Sequence, residues 1–460
     1  MKSAQKLDIA VIGAGWYGCH TALELKKEGH HVAVFERKSD ILHGISGTFG
    51  IRLHKGPHYP RSKPTREACR DVFKEFCQTY PDLVVAHERS IYGLGQKDAL
   101  GYASKVTPEV FHDVCYESPE CRTLDVKQLG FAGLISAYDL DEPSIVIGDR
   151  LRSALERRLH DASVDIHLGC EVKGITKSDS KQQLSVDTVV HSFDVVINAT
   201  AYQSLIPPDI LKLLPVNIEV TYQACIGLVY EDLTPQDAPF SFIVMDGWFP
   251  CIMPAVSTHE RPHRDYLIIH GAYTVMGSYD SLQEAQDLLG RLDDAVIGTK
   301  VRSHVEHELD RFWPGYTARF TYKGWKGTTL PKLKTRAEFR GSLTFEKDGI
   351  IYIFPGKVNN VFNAAQETLT LVDHIAKERT GVLPLAQNGT SSVHACNGVR
   401  YTTDGAISTA SQELADQPGA GEQSTSNSKV YSSWILDSKR RVSGNDGSQL
   451  SQPSYDRFNW

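Results

Sequence analysis

The first apolar run, 7–12 (LDIAVI), is short and rich in β-branched residues, the pattern of a strand buried on both faces. A turn follows at 13–18 (GAGWYG). Over 19–29 the pattern becomes helical: Ala22, Leu23 and Leu25 face inward, Glu24, Lys26, Lys27 and Glu28 face outward, and Gly29 ends the helix. A second buried strand at 31–35 (HVAVF) is closed by Glu36. Together these form one βαβ unit.

Further along, 41–62 has little periodicity and reads as a long functional loop. Helical patterns occupy 64–80, 145–160, 281–311 and 360–378. Short strands are expected at 164–168, 171–176, 183–190, 194–198 and 349–354, and longer sheet strands at 217–230, 241–254 and 265–275. From about 385 Gly, Ser, Asn, Gln and Thr dominate and periodicity vanishes, so 385–460 is expected to be a disordered tail. Its Asn388-Gly-Thr sequon reads as a chance match. The chain shows no internal repeat.

Composition narrows the class without changing this outline. The 460 residues are 41% hydrophobic and 23% charged, ordinary for a globular protein of two or three domains. A net charge of −7 without a basic stripe argues against a nucleic-acid partner. No apolar run reaches the length of a membrane span and no polybasic segment offers an anchor, so no membrane partner is expected. The glycine turn straight after 7–12 argues against a signal peptide. Nine cysteines, with no C-x-x-C pair and with Cys115 and Cys121 too loosely spaced for zinc, read as free thiols in a reducing, cytoplasmic setting. No metal site is expected, and no feature specifies an oligomeric state.

The 13–18 turn carries a dinucleotide fingerprint. Gly13 permits the sharp exit from the strand, Gly15 lets a pyrophosphate approach the backbone, and Gly18 lets helix and strand pack closely. The helix start, including Trp16 and Tyr17, presents amides and positive dipole charge to phosphates. Glu36, 21 residues after Gly15, suits the hydroxyls of an adenosine ribose, with Arg37 beside it. Three features favour FAD over NAD. The fingerprint stands at the start of the chain; 194–200 (DVVINAT) is a strand running into a small-residue turn at Ala199 and Thr200; and 349–363 is a late strand, a turn at Pro355, Gly356 and Lys357, and a helix start through Val358 and Asn359.

On these segments the chain resembles the D-amino-acid-oxidase-like group of FAD-dependent oxidoreductases, of the glutathione-reductase-like fold, over about residues 7–380. The resemblance implies an α/β protein: a Rossmann-type FAD-binding domain with an inserted α+β substrate domain on a mixed or antiparallel sheet. The expected boundaries are 1–209 for the main part of the FAD-binding domain, 210–330 for the substrate domain, 331–384 for the return to the first domain, and 385–460 for the tail. It further implies that Ser46 and Gly47 contact the pyrophosphate and ribityl chain, that Val172 holds adenine through its backbone amide, and that loop 46–62 passes the flavin face. Covalent flavin in the group uses His or Cys; His54 and His58 are available, but nothing in their spacing requires a bond, so non-covalent FAD is expected.

Loop 46–62 (SGTFGIRLHKGPHYPRS) is where chemistry is expected. Arg52 suits a carboxylate or phosphate, or the cofactor itself. His54, His58 and Tyr59 are candidates for proton transfer. Arg61 fits either a site or a structural ion pair. Tyr222, Tyr230, Trp248, His270 and Tyr273 suit either a pocket wall or core packing, and Lys332 and Lys357 suit an anionic reduced flavin. The leading expectation is oxidation of a C–N or C–O bond of a small polar substrate (an amino acid, amine or amino sugar) by hydride transfer to flavin. The alternatives are a flavin-dependent tailoring enzyme or mutase of glycan or secondary-metabolite biosynthesis, a flavin monooxygenase, and a non-enzymatic dinucleotide-binding protein.

Overall fold

The computed structural model describes residues 6–49, 51–208, 210, 219–333, 341–379 and 428–430. They separate into two compact units. The first takes the described residues up to Ile41, from Leu155 to Glu219 and from 341 onward; the second takes Leu42 to Ala154 and Val220 to 333.

In the first unit the expected βαβ start is present as β1 (Asp8–Ile12), α1 (Trp16–Lys27) and β2 (His31–Glu36). β1 is hydrogen-bonded in parallel to β2 on one side and to Val195–Asn198 on the other. Asp165–Leu168 extends the sheet beyond β2, and Ile350–Phe354 extends it beyond Val195–Asn198. A strand paired on both edges and covered on both faces has no polar side, which is why 9–12 does not alternate. Ile9, Ala10 and Val11 have no exposed surface. The antiparallel strands Leu343–Lys347 and Ser428–Val430 finish one edge of the sheet, seven-stranded among the described residues. Apart from Ser428–Val430, the tail expected at 385–460, with its sequon, lies outside the described residues. Those three residues pair through main-chain groups with Phe345–Lys347, which needs no apolar pattern in the sequence.

A small antiparallel sheet of Val172–Ser178, Lys181–Val186 and Val189–Phe193 completes this unit. The stretch 183–190, expected as one strand, is split by a turn at Asp187, which has φ +49°. The closing helix Val361–Arg379 packs on α1, with His20 edge-on to Phe362 at 4.5 Å.

The second unit is built on a sheet that is nine-stranded among the described residues. The ladder between Val220–Asp232 and Phe320–Leu333 runs along one end, and the helices Leu282–Gly290 and Ser303–Phe312 contribute to the core over its face. Two expectations are corrected. The runs 241–254 and 265–275 each fold as two strands around a turn, at 246–249 and 271–274. Residues 42–154, expected with the first domain, belong here. Arg89–Gly95 pairs in parallel with Phe240–Met245 and antiparallel with Leu134–Asp139, and this ladder hydrogen bonding overrides chain order. A short sheet of Ile51–Arg52, Ser144–Ile145 and Val84–Val85 brings the loop after Gly47 alongside residues far from it in sequence. The cysteines among the described residues are not joined in disulfides.

Burial pushes the carboxyl of Glu367, on the closing helix, up to about 8 from 4.5. A carboxyl whose folded pKa is raised contributes its full stability below the unfolded value and loses it as pH rises through the folded one. Stability of the first unit is therefore expected to fall between about pH 4.5 and about pH 8. Glu367→Gln should remove that slope and raise stability at the upper end by on the order of 2 kcal/mol, read as the Tm difference between variant and parent across this range.

Candidate functional site

The fingerprint builds a cradle in the first unit. Gly13 has φ +97°, and a Cβ there would come within 2.9 Å of the Ala199 carbonyl oxygen. A Cβ on Gly18 would stand 1.9 Å from the Gly13 carbonyl oxygen, so helix, strand and the 199–200 turn can close together only without side chains. Gly15 caps α1 with no side-chain hydrogen bond, leaving the first-turn amides directed outward from the helix start. The dipole at that end favours an anion. Glu36 stands where β2 ends. Its carboxylate accepts from the Ala14 amide at 2.9 Å and the Lys38 amide at 3.0 Å, so it also ties the turn together.

The other expected cofactor residues divide by what the fold leaves available. Trp16 is 2% exposed, so it can serve a ligand only through its backbone. The Tyr17 hydroxyl donates to the Lys357 carbonyl at 2.7 Å and accepts from the Gly356 amide at 2.8 Å. The Lys357 amide donates to Asn360 Oδ1 at 2.9 Å. The Tyr17 hydroxyl and the amides of Gly356 and Lys357 therefore anchor the closing turn to α1, because a buried N–H must find an acceptor. Val358 and Asn359 form a single 3₁₀ turn, with Asn359 buried. Thr200 caps its own turn by donating to Asn198 Oδ1 from both amide and hydroxyl. Val172 is buried at the start of the small sheet, and Arg37 is exposed beyond Glu36.

In the second unit, Ser46 and Gly47 lie in the short helix Ile45–Thr48, and a Cβ on Gly47 would meet the Leu42 carbonyl at 2.0 Å. The loop after it carries a cluster that the residue pattern alone only half shows. Arg52, His54 and Tyr59 are buried and His58 is half-buried. The rings of His54 and His58 lie parallel, centroids 4.3 Å apart, so they stack rather than converge on a shared ion. Tyr59 stands edge-on to both. Among the described residues no group of three or more His, Cys, Asp or Glu is placed to hold a metal.

Sequence reasoning passed over Glu142 and Tyr92, because both lie in unremarkable stretches far from the loop. Glu142 has no exposed surface and accepts three hydrogen bonds: from the Tyr92 hydroxyl at 2.5 Å, the Lys55 amide at 2.7 Å and His54 Nδ1 at 3.2 Å. Burial and then the Glu142 charge push the Tyr92 phenol well above its usual range, so it stays a donor. The Arg52 guanidinium lies 5.0 Å from the Tyr92 ring centroid, and its Nε, Nη1 and Nη2 are all buried without a hydrogen-bond acceptor among the described residues. His87, another residue the sequence did not single out, bridges Ser241 and Ser144 at 3.0 and 2.8 Å. Its pKa is pushed down to about 3 by burial and then by Arg52, so it stays neutral.

The loop is clamped at its far end. Arg66 makes a two-pronged pair with Glu117 at 2.9 and 3.0 Å and donates to the carbonyls of Tyr59 and Pro60. Arg61 pairs with Asp246 at 2.5 Å, which is the structural ion pair. His270 and Tyr230 belong to the core. His270, pushed down to about 3 by burial, accepts from the Ala272 amide and shapes the 270–274 turn. Tyr230 donates to Glu306 at 2.7 Å. Tyr222 and Tyr273 are half-buried against the same core.

A glycine-cleared helix start, an acid at the end of the second strand and a late closing turn are features of a dinucleotide-binding fold. Comparison with known proteins agrees. Residues 8–365 match the family of FAD-dependent oxidoreductases, and the chain belongs to that family. It is 54% identical over 435 residues to the FAD-dependent monooxygenase kojA of Aspergillus flavus, covering 95% of this chain and 99% of that protein. Among solved structures it shares its fold with NikD, an unusual amino acid oxidase essential for nikkomycin biosynthesis, and with glycine oxidase from Geobacillus kaustophilus. For NikD the TM-score is 0.58 at 14% identity, covering 84% of this chain and 96% of that one. For glycine oxidase it is 0.54 at 14%, covering 83% and 96%. The protein is an enzyme and its cofactor is FAD. No helix among the described residues is long and apolar enough to cross a membrane.

Gly15→Val should fold but purify without yellow colour, since a branched side chain would occupy the pyrophosphate's approach. Flavin absorbance per mole of protein reads this directly, and full FAD content in the variant would overturn the placement of the cradle. Arg66→Ala should leave the FAD content unchanged and lower Tm, because it removes the two-pronged pair with Glu117, leaving that carboxylate only the more distant Arg70, and releases the Tyr59 and Pro60 carbonyls.

Proposed function

We propose that this enzyme oxidises a small polar substrate that carries a carboxylate or comparable acceptor, seated on Arg52, with His54 receiving the proton the substrate gives up. The observation that carries the reading is Arg52 itself. A buried guanidinium whose nitrogens all lack acceptors is costly, and it is tolerated where a ligand completes it. Its planar fork suits two oxygens on one group. The Tyr92 ring face offsets part of the cost before a ligand arrives.

His54 is prepared for proton transfer by its neighbour. With Nδ1–H donated to Glu142, the neutral ring leaves Nε2 unprotonated. Nε2 then takes the O–H or N–H proton, and the carboxylate stabilises the imidazolium that results. Stacking on His58 limits rotation of the ring. FAD, when bound, supplies the acceptor for the hydride. Glu142 and Tyr92 act as positioning residues through His54.

A monooxygenase is the second reading, favoured by the name of the Aspergillus flavus relative. In it the same cluster binds and deprotonates a substrate that receives an oxygen atom. Anaerobic mixing separates the two. Bleaching of the holoenzyme by an amine, amino acid or amino sugar supports oxidation by hydride transfer. Bleaching by NAD(P)H, with isotopic oxygen appearing in the product, supports the second.

His54→Gln should retain FAD and lower kcat by roughly 10²–10⁴. Glu142→Gln should cost nearly as much alone, yet add little on top of His54→Gln, since the carboxylate acts through the imidazole. Arg52→Met should chiefly raise KM for a carboxylate substrate, by roughly tenfold or more. Full turnover in Arg52→Met and His54→Gln together would sink the assignment.

A further inference from the structure

A second cluster of basic groups in the same unit has no part in the chemistry above. Arg150, Arg261 and His263 line a cavity of about 340 Å³ together with Asp237 and the apolar Val84, Val85, Ala86, Ala238 and Pro239. Arg150 spends one nitrogen on the Asp82 carbonyl at 3.1 Å, and its Nε is buried without an acceptor among the described residues. His263 is only 6% exposed, and its Nε2 is likewise buried without a partner among the described residues. Two guanidinium groups and an imidazole therefore meet one lining carboxylate.

We propose that this cavity is a binding site for a small oxyanion, a phosphate or carboxylate group, either free or carried on a metabolite. Apolar walls strengthen the field of the two guanidinium groups inside the cavity. Buried N–H donors in the lining require acceptors, and an oxyanion offers several on one small body. Burial, then Arg150, then Arg261 hold the His263 pKa below its usual value, so the imidazole is neutral near pH 7 and can donate one hydrogen bond to an anion. The cavity is separate from the Arg52 cluster, since none of Arg52, His54 or Glu142 lines it. The two are linked through the short sheet, in which Val84–Val85 pairs with Ser144–Ile145 and that strand pairs with Ile51–Arg52. Such a site suits an effector that is not turned over.

The test titrates FAD-loaded enzyme with inorganic phosphate, and separately with citrate, at constant ionic strength set by chloride. Heat of binding and the imidazole resonances of His263 are followed. Saturable binding is expected, with the His263 titration moving to higher pH as the anion is added. Arg261→Ala, an exposed position that leaves the fold undisturbed, and Arg150→Ala should each weaken binding by roughly tenfold or more. Phosphate alone binding would assign a phosphate site, and citrate alone a carboxylate site. Equal binding to parent and both variants, no response of His263, or chloride matching both anions would overturn the proposal. An Arg52→Met enzyme should bind the anion like the parent, so failure of the catalytic assignment and failure of this one can be told apart.

Discussion

A carboxylate with no exposed surface is tolerable only when donors surround it, and the loop after Ile51 in the second unit is arranged around that requirement. Glu142 is met by a phenol from Arg89–Gly95, an amide from the loop at 55 and the imidazole of His54. These partners are placed by two separate backbone pairings. Ile51–Arg52 lies against Ser144–Ile145, which brings 53–55 beside Glu142, and Arg89–Gly95 is held by strands on both sides. Removing the carboxylate would leave three donors looking for acceptors in a dry site, so the loop's conformation and the histidine's tautomer depend on one side chain.

The two units solve the problem of binding in different ways. In the first the site is backbone: glycines that clear space, a helix start and one acid. Shape and dipole do the selecting there, and side chains mostly need to be absent. In the second the proposed site is made of buried side chains whose charges are only partly matched among the described residues. Arg52 and Glu142 both influence Tyr92 and His87, yet among the described residues the Arg52 nitrogens meet no carboxylate or carbonyl acceptor. Unsatisfied capacity of this kind distinguishes a binding site from a structural network, and the contrast with Arg66 makes the point. Arg66 sits in the same region, is equally buried, and uses its donors on Glu117 and two carbonyls.

The fold is shared with amino acid oxidases at low identity, while the A. flavus relative, at much higher identity, is named a monooxygenase. A fold of this type fixes where a flavin lies without fixing which bond is broken. The difference must lie in side chains around the substrate, and the Arg52, His54 and Glu142 arrangement is where such differences would act.

What the sequence determined by itself was local. The 7–36 unit was legible because a glycine turn, a helix period and an acid at a set distance all constrain residues within one short stretch. The late strand and helix near 350–379 were legible through the same hydrophobic patterning. Within the loop, Arg52, His54, His58 and Tyr59 stood out by residue type alone. Tertiary structure decided the rest. It separated Arg61 and His270, which are held in structural roles, from the cluster, tied Tyr17 to the closing turn, and moved 42–154 into the second unit. It also supplied Glu142, 88 positions away from His54. No periodicity records a contact of that kind. A buried carboxylate and its donors are matched through space, by strand pairing between distant segments, while sequence patterns report only neighbours along the chain.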